Sequence, residues 1–450
     1  MLLPADALAL IAAILLVAVA PLVSAPTRDM LISPRFWIAG AFVGLYVVRP
    51  LCILVYPTYA HPFIGLQPEF PRLVSGGLAL ALAGLTVFWV GYFLPAGKRL
   101  GDLVPLLPQQ ISPARWRQAV LGCFLLGLLA YAIFLHSMGG LKQLLAVLYM
   151  RAAVYEADET AGPMKELAKL VGIAALLGMH YHLRIRPARW VWPLLGVSSA
   201  IIATMGGRGA VAQLWVMTYL LYALARPRYR SWKPLVALVV GVALFAAAAL
   251  GARRATQGGP EAALASLREL PAEALGNVLD TVPMFDQMVA TVQTTGREIP
   301  YKEGDSYLEL IPVMVPRAFW PIETETAGVT LRKVIEPFGI GGRPPSAMGE
   351  GYMNYGLTGA LGVMFLLGIW CRFLQTYLVR GQAVSLMVPL LYALALFSTL
   401  SFLAGVGPLA VRACLFRVGA ALVAFLWSAR TQLLAGADRP VEPLPDATAG

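Results

Sequence analysis

Residues 72–95 read RLVSGGLALALAGLTVFWVGYFLP, and after Arg72 the run carries no charge. An α-helix rises 1.5 Å per residue, so about 20 apolar residues cover the roughly 30 Å of hydrocarbon in a bilayer. The stretch has that length. Because lipid offers backbone N–H and C=O groups no partner, a run this long and apolar must satisfy them internally, as a helix. The same window finds ten further spans, at 5–24, 34–56, 117–136, 164–181, 190–205, 209–225, 234–252, 353–371, 384–403 and 408–428.

Composition points the same way. Charged residues make up 13% of the 450, where a soluble domain carries about 25%, and apolar residues reach 58% with a mean hydropathy of +0.70. These values exclude a soluble enzyme, a disulfide scaffold and a disordered regulator. The unbroken apolar runs exclude an outer-membrane barrel, whose strands alternate polar and apolar residues. The expected fold class is all-α, a polytopic integral membrane helix bundle of about 11 transmembrane helices.

Basic residues set the orientation. Arg28, Arg35, Lys98, Arg99, Arg115, Arg117, Arg184, Arg186, Arg189, Arg226, Arg228, Arg230, Lys233, Arg372, Arg380, Arg430 and Arg439 all fall on alternate connections, hence on one side. The positive-inside rule makes that side cytoplasmic, so the amino terminus faces out and the carboxyl terminus faces in. The net charge of +11 is then largely topological, with bases beside anionic headgroups and no nucleic-acid footprint. The first span lacks a basic n-region and reads as retained, not as a cleaved signal.

The organisation follows. Residues 1–252 carry helices 1–8 with a small outward loop at 137–163, and residues 253–352 form a large outward loop. Residues 353–430 carry helices 9–11, and 431–450, with Pro440, Pro443 and Pro445, make a disordered cytoplasmic tail. Within the large loop, 260–269 and 272–294 have helical spacing, with Leu275, Val278, Val282, Phe285 and Val289 on one side. Amphipathic helices at the outer interface are expected there. The Pro- and Gly-rich stretch beyond should fold back as a lid over the mouth of the bundle.

Charges near lipid need reasons, since Arg at a span centre costs roughly 2.5 to 3.5 kcal/mol on insertion scales. Arg151, Arg208, Arg253, Arg254, Arg317, Arg343 and Arg412 all lie on the outward side, against the rule that keeps bases inside. Snorkelling to headgroups accounts for any one of them. Together they suggest an anion, and the planar guanidinium fork suits phosphate oxygens, as on a membrane-bound diphosphate. Arg49, beside Pro50, reads as the snorkelling end of a kinked helix. Most loop carboxylates, among them Asp280, Asp286, Glu303, Asp305, Glu309 and Glu336, read as solvated. Glu350 stands apart in Gly349-Glu350-Gly351-Tyr352, where a desolvated carboxylate could serve as general base or, more plainly, stabilise a helix N-terminus.

Other chemistries have no footing. Walker A, HExxH and GxSxG motifs are absent, and the four histidines and four cysteines show no ligand or disulfide spacing. No metal and no cofactor is expected.

Three stretches carry a resemblance: Gly304-Asp305-Ser306-Tyr307, then Val315-Pro316-Arg317-Ala318-Phe319-Trp320-Pro321, then Arg343-Pro344-Pro345-Ser346-Ala347-Met348-Gly349-Glu350-Gly351-Tyr352-Met353-Asn354-Tyr355-Gly356. With the Gly-Gly-Arg-Gly turn at 206–209 and the helix around Arg151, they resemble Wzy-type oligosaccharide repeat unit polymerases, the O-antigen polymerase-like family. About 200 residues carry motif content, and the first 130 add only hydropathy. After Trp320-Pro321 the chain has Ile322-Glu323 where family members often place a Lys, so the basic contact there is either absent or supplied by Lys302 or Lys333.

The resemblance implies a glycosyltransferase of the bacterial inner membrane that moves a growing glycan from polyprenyl diphosphate to the non-reducing-end sugar of an incoming lipid-linked repeat unit, at the periplasmic face. Its partners would be the lipid-linked oligosaccharide donor and acceptor, the lipid bilayer, a chain-length regulator and a flippase. On this reading Arg208, Arg254, Arg317 and Arg343 contact the diphosphate, with Arg151 and Arg412 as further candidates. Glu350 is the proposed base, with Asp286 second, and Tyr155, Trp320, Tyr352 and Asn354 contact sugar. An O-antigen ligase-type enzyme needs the same diphosphate clamp and stays open. A transporter or flippase of lipid-linked oligosaccharide is the rival from another class, although polar residues here gather at one face instead of the bilayer midplane.

Overall fold

The computed structural model describes residues 4–24, 27–107, 111–140, 161–205, 208–226, 230–238, 240–241, 283–310, 325–339, 341–405 and 407–433. The principal helices are α1 (Ala5–Val23), α2 (Pro34–Val55), α3 (Phe70–Phe93), α4 (Pro95–Leu103), α5 (Pro113–Ser137), α6 (Ala161–Ala168) and α7 (Leu170–Arg184). They continue as α8 (Val191–Thr204), α9 (Arg208–Ala225), α10 (Met284–Thr294), α11 (Ala327–Ile335), α12 (Ser346–Gly381), α13 (Met387–Ala404) and α14 (Gly407–Leu433). Among the described residues no strand forms beyond an isolated bridge between Thr295 and Ile299.

Among the described residues, seven helices are long and apolar enough to cross a membrane: α1, α2, α3, α5, α12, α13 and α14. Their outward faces carry exposed Leu16, Leu125, Leu129, Leu366 and Val423, which would be unfavourable in water and is neutral against lipid tails. The spans expected at 164–181, 190–205 and 209–225 are occupied by the shorter α6 with α7, α8 and α9. The one expected at 234–252 lies largely outside the described residues.

Two cores divide the bundle. One joins α1, α2 and α3 to α10, α11 and the first part of α12. The other joins α5, α7, α8 and α9 to α13, α14 and the far end of α12. Glycines bring α3 and α4 against α12. A Cβ on Gly91 would sit 2.2 Å from the Phe365 carbonyl oxygen, and one on Gly368 would sit 2.1 Å from that of Phe88. Without a hydrophobic drive between helices in lipid, this backbone-to-backbone fit supplies the packing.

The expectation of an interfacial amphipathic helix at 272–294 is corrected over its described part. In α10 residues Phe285 to Thr291 are all buried. The helix wedges between α3 and α12, where Gly77 leaves room for Val289 and Phe285, whose atoms would lie 2.6 and 3.0 Å from a Cβ there. Its hydroxyls turn inward: Thr291 and Thr294 donate to the carbonyls of Gln287 and Ala290, so these two hydroxyls are satisfied without water.

Candidate functional site

Residues 56–69, 283–310, 325–339 and 341–356 meet Gly407 at one end of the bundle, and two charged clusters form there. The first is built by a break in α12. Tyr355 and Gly356 leave helical geometry, Gly356 at φ 62 and ψ −146, a region open essentially to glycine alone. The turn is so sharp that Gly351 and Gly359 touch; a Cβ on Gly359 would lie 2.1 Å from the Gly351 carbonyl oxygen. The segment before the break thereby presents Glu350 and Asn354, one helical turn apart, to residues 302–309.

Asn354 organises that meeting. Its Oδ1 accepts from the Gly304 N–H at 2.9 Å, and its Nδ2 donates to Ser306 Oγ at 2.7 Å and to the Glu350 carbonyl at 2.8 Å. Since an amide nitrogen can only donate, the Ser306 proton is left for Glu350, whose Oε1 lies 3.0 Å away. The other carboxylate oxygen accepts from the Gly407 N–H at 2.6 Å, the first residue of α14. Glu350 is 1% exposed. The carboxylate thus sits at a helix N-terminus, as its plainer reading expected, but of α14 and not of its own helix.

A second carboxylate stands close by. Glu309 is buried, with Oε1 3.6 Å from Lys302 Nζ and Oε2 without a partner. Burial pushes its pKa up to about 7; Lys302 pulls it down, and the charge of Glu350 pushes it up again. Lys302 also donates to the Glu325 carbonyl at 3.0 Å. Tyr352 faces Tyr301 and Arg297, and Tyr355 donates to the Glu303 carbonyl at 2.7 Å with its ring exposed. Aromatic and carboxylate groups therefore share one small region.

The second cluster corrects two expectations. Arg49 is no snorkelling end, and Asp286 is not solvated. In α2 the residues Gly44–Val48 form a π-turn in which the Arg49 N–H reaches the Gly44 carbonyl, five residues back. This turn accommodates Pro50 and aims Arg49 inward. Its Nε and Nη2 bind Asp286 Oδ1 and Oδ2 at 3.1 and 2.7 Å, and Nη2 also donates to the Tyr59 carbonyl. The His61 N–H donates to Asp286 Oδ2 at 2.9 Å. His61 Nδ1 accepts from the Phe63 N–H, which places the ring proton on Nε2, 2.7 Å from Glu336 Oε1. Glu336 Oε2 is bound in turn by Arg343 through Nε and Nη2. Burial raises the Glu336 pKa, but the hydrogen bonds from Arg343 and His61 outweigh it and hold the carboxyl below its usual range.

The structure thus brings Glu350 and Asn354 together and places Asp286 in an ion pair. Arg343 is half-exposed and bound to Glu336, whereas Arg412 is partly buried on α14. These two arginines share no described contact. Arg151, Arg254, Arg317, Tyr155 and Trp320 lie outside the described residues, as does the Arg208 side chain, although Arg208 opens α9 at the expected break. The carboxylate of Glu309 and the link from His61 to Glu336 were missed. A periodicity argument has no means of pairing residue 61 with 336.

No family model matches the chain, and no curated protein or solved structure matches it either.

Proposed function

We propose that the chain is a polysaccharide polymerase of the bacterial inner membrane, transferring a growing glycan from polyprenyl diphosphate to the non-reducing-end sugar of a lipid-linked repeat unit. In this reading eleven helices span the bilayer, the amino terminus and the Glu350 end are periplasmic, and the carboxyl terminus is cytoplasmic. One observation carries it. Gly304-Asp305-Ser306-Tyr307 and Gly349–Gly356, two of the stretches on which the family resemblance rests, converge through Ser306, Glu350 and Asn354 into one buried hydrogen-bonded unit.

The chemistry is a displacement at the anomeric carbon. The acceptor hydroxyl forms the new C–O bond, the bond to diphosphate breaks, and the diphosphate leaves with the electron pair. Glu350 takes the hydroxyl proton. Diphosphate is already a good leaving group, so the protein has to position the acceptor and stabilise developing negative charge, which arginines can do without metal or nucleotide. Arg343 and Arg208 are assigned to that charge, and Tyr352 and Asn354 to the sugar.

Reconstitution with one lipid-linked repeat unit tests the proposal. A ladder of longer products is expected, lost in Glu350→Gln, Arg343→Ala and Arg208→Ala proteins that remain monodisperse. Single repeat units throughout, or near-normal ladders from all three variants, would reject it.

A further inference from the structure

A groove of about 660 Å³ runs between α8, α9 and the helical residues 232–238 and 240–241, at the end of the bundle away from Glu350. Its place follows from α2. Asp29, which binds Arg230 beside the groove, precedes that helix, whereas residues 56–69 of the Glu350 end follow it. One face of α9 lines the groove through Val211, Trp215, Thr218 and Tyr222, and α8 lines it through Trp192 and Ser199. The walls are apolar in effect: Ser199 and Thr218 donate to the Leu195 and Leu214 carbonyls of their own helices, so neither has a proton left for an occupant.

Three features say what fits. The first is length. From Val211 to Tyr222 the wall runs for about 16 Å of helix, against about 15 Å for half of the hydrocarbon layer, so the groove matches an acyl chain of one leaflet. The second is the mouth, where Trp192 packs on His182 and on Tyr222 with ring centroids 6.1 Å apart in each pair. Amphipathic rings of this kind mark the level of headgroups. The third is charge just beyond the mouth. Arg184 and Arg230 donate to the Leu224 and Ala223 carbonyls, at 3.0 and 2.8 Å, in the last turn of α9. Arg230 is answered by Asp29, whereas Arg184 has no carboxylate among the described residues and its buried Nε has no partner. Capping the helix accounts for part of each guanidinium and leaves the Arg184 charge unmatched.

We propose that this groove holds an anionic phospholipid, with one acyl chain between α8, α9 and residues 232–238 and the phosphodiester on Arg184. A phosphodiester carries one negative charge, matching one unanswered guanidinium, and accepts charge-assisted hydrogen bonds from it. Phosphatidylethanolamine has the same phosphate, but its ammonium would be set beside Arg184 and Arg230, so a lipid of net negative charge is selected. The site asks nothing of the polymerase reading.

The test is native mass spectrometry of the full-length protein, titrated in detergent with phosphatidylglycerol, phosphatidylethanolamine and the chain-free glycerol phosphate. One phosphatidylglycerol per chain should bind at least about tenfold tighter than phosphatidylethanolamine, the scale of one charge-assisted contact, and glycerol phosphate should not displace it. Arg184→Gln should bring the two lipids to equal affinity. Because Arg184 also caps α9 and its variant could lose the fold, Gly241→Phe is the second arm. Gly241 lines the groove, a Cβ there meets nothing within 4 Å, and most residues form helix more readily than glycine. That variant should keep its heat-denaturation midpoint while both lipids bind about tenfold more weakly, the scale of two methylenes kept from burial. Equal affinity of the two lipids for the parent overturns the proposal. Unchanged phosphatidylglycerol affinity in a folded Gly241→Phe protein overturns the groove as the site, and displacement by glycerol phosphate overturns the lipid as the ligand.

Discussion

Asp286→Asn separates a structural from a catalytic carboxylate. Asp286 has no exposed surface and accepts three hydrogen bonds, two from Arg49 and one from the His61 N–H, while the Arg49 side chain is 3% exposed. The amide keeps the shape but removes the charge, and its NH2 must point at another donor. Breaking a buried pair by removing one partner costs about 3 to 5 kcal/mol, because the other charge stays buried and unpaired. At about 1.4 kcal/mol per tenfold, the unfolded fraction should rise by a factor of roughly 10² to 4 × 10³. The assay is the fraction monodisperse after heating in detergent, read by size exclusion, with chain extension measured at a temperature where both proteins are folded. Arg49→Met with Asp286→Leu, which removes both charges and keeps apolar volume, should be more stable than the single variant. An Asp286→Asn protein as heat-resistant as the parent, or a double variant weaker than the single, refutes the ion-pair argument. A folded Asp286→Asn protein that extends no chain returns Asp286 to catalysis.

Glu309 gives a pH signature. Its carboxyl is held up to about 7 where the usual value is 4.5, so between those values the folded protein keeps a proton that the unfolded chain has released. Its contribution to stability is complete below about 4.5 and is lost as pH rises through 7, and midpoints of heat denaturation taken across that window should fall with pH in the parent and fall less in Glu309→Gln. Gly356→Ala forces a side chain into a conformation that costs about 1 to 3 kcal/mol, so it should lower the denaturation midpoint and, by opening the break, extension more than binding. Equal midpoints for Gly356→Ala and the parent would show that the break relaxes elsewhere.

Some of this is legible in the sequence and some is not, for physical reasons. Apolar runs announce long helices because lipid permits little else, and α3 and α5 fall close to the windows at 72–95 and 117–136. Glu350 was visible because its flanking glycines and adjacent span are local facts. Asp286 was misread because its burial is set by residue 49, 237 positions away, and no helical spacing on one segment reports the charge on another. Phe285 and Val289 do mark an apolar face of α10, but apolar spacing cannot tell an interface from an interior; the space left at Gly77 decides it. Arg49 was misjudged for a similar reason, since Pro50 predicts a distortion without predicting that a π-turn takes it up.

The two clusters at the Glu350 end differ in whether their charges cancel and in how far they are buried. Arg49 with Asp286 is buried and largely compensated, and such a pair holds segments in register more than it acts on a ligand, whereas Arg343 is half-exposed beside Glu336 and open to a second anion. The Glu350 cluster has two carboxylates for Lys302. A transfer needs a group that takes the acceptor proton, and a surplus carboxylate is such a group. A transporter that carries the lipid unchanged needs none. Loss of extension with retained prenyl diphosphate binding in Glu350→Gln therefore separates the enzyme from the carrier.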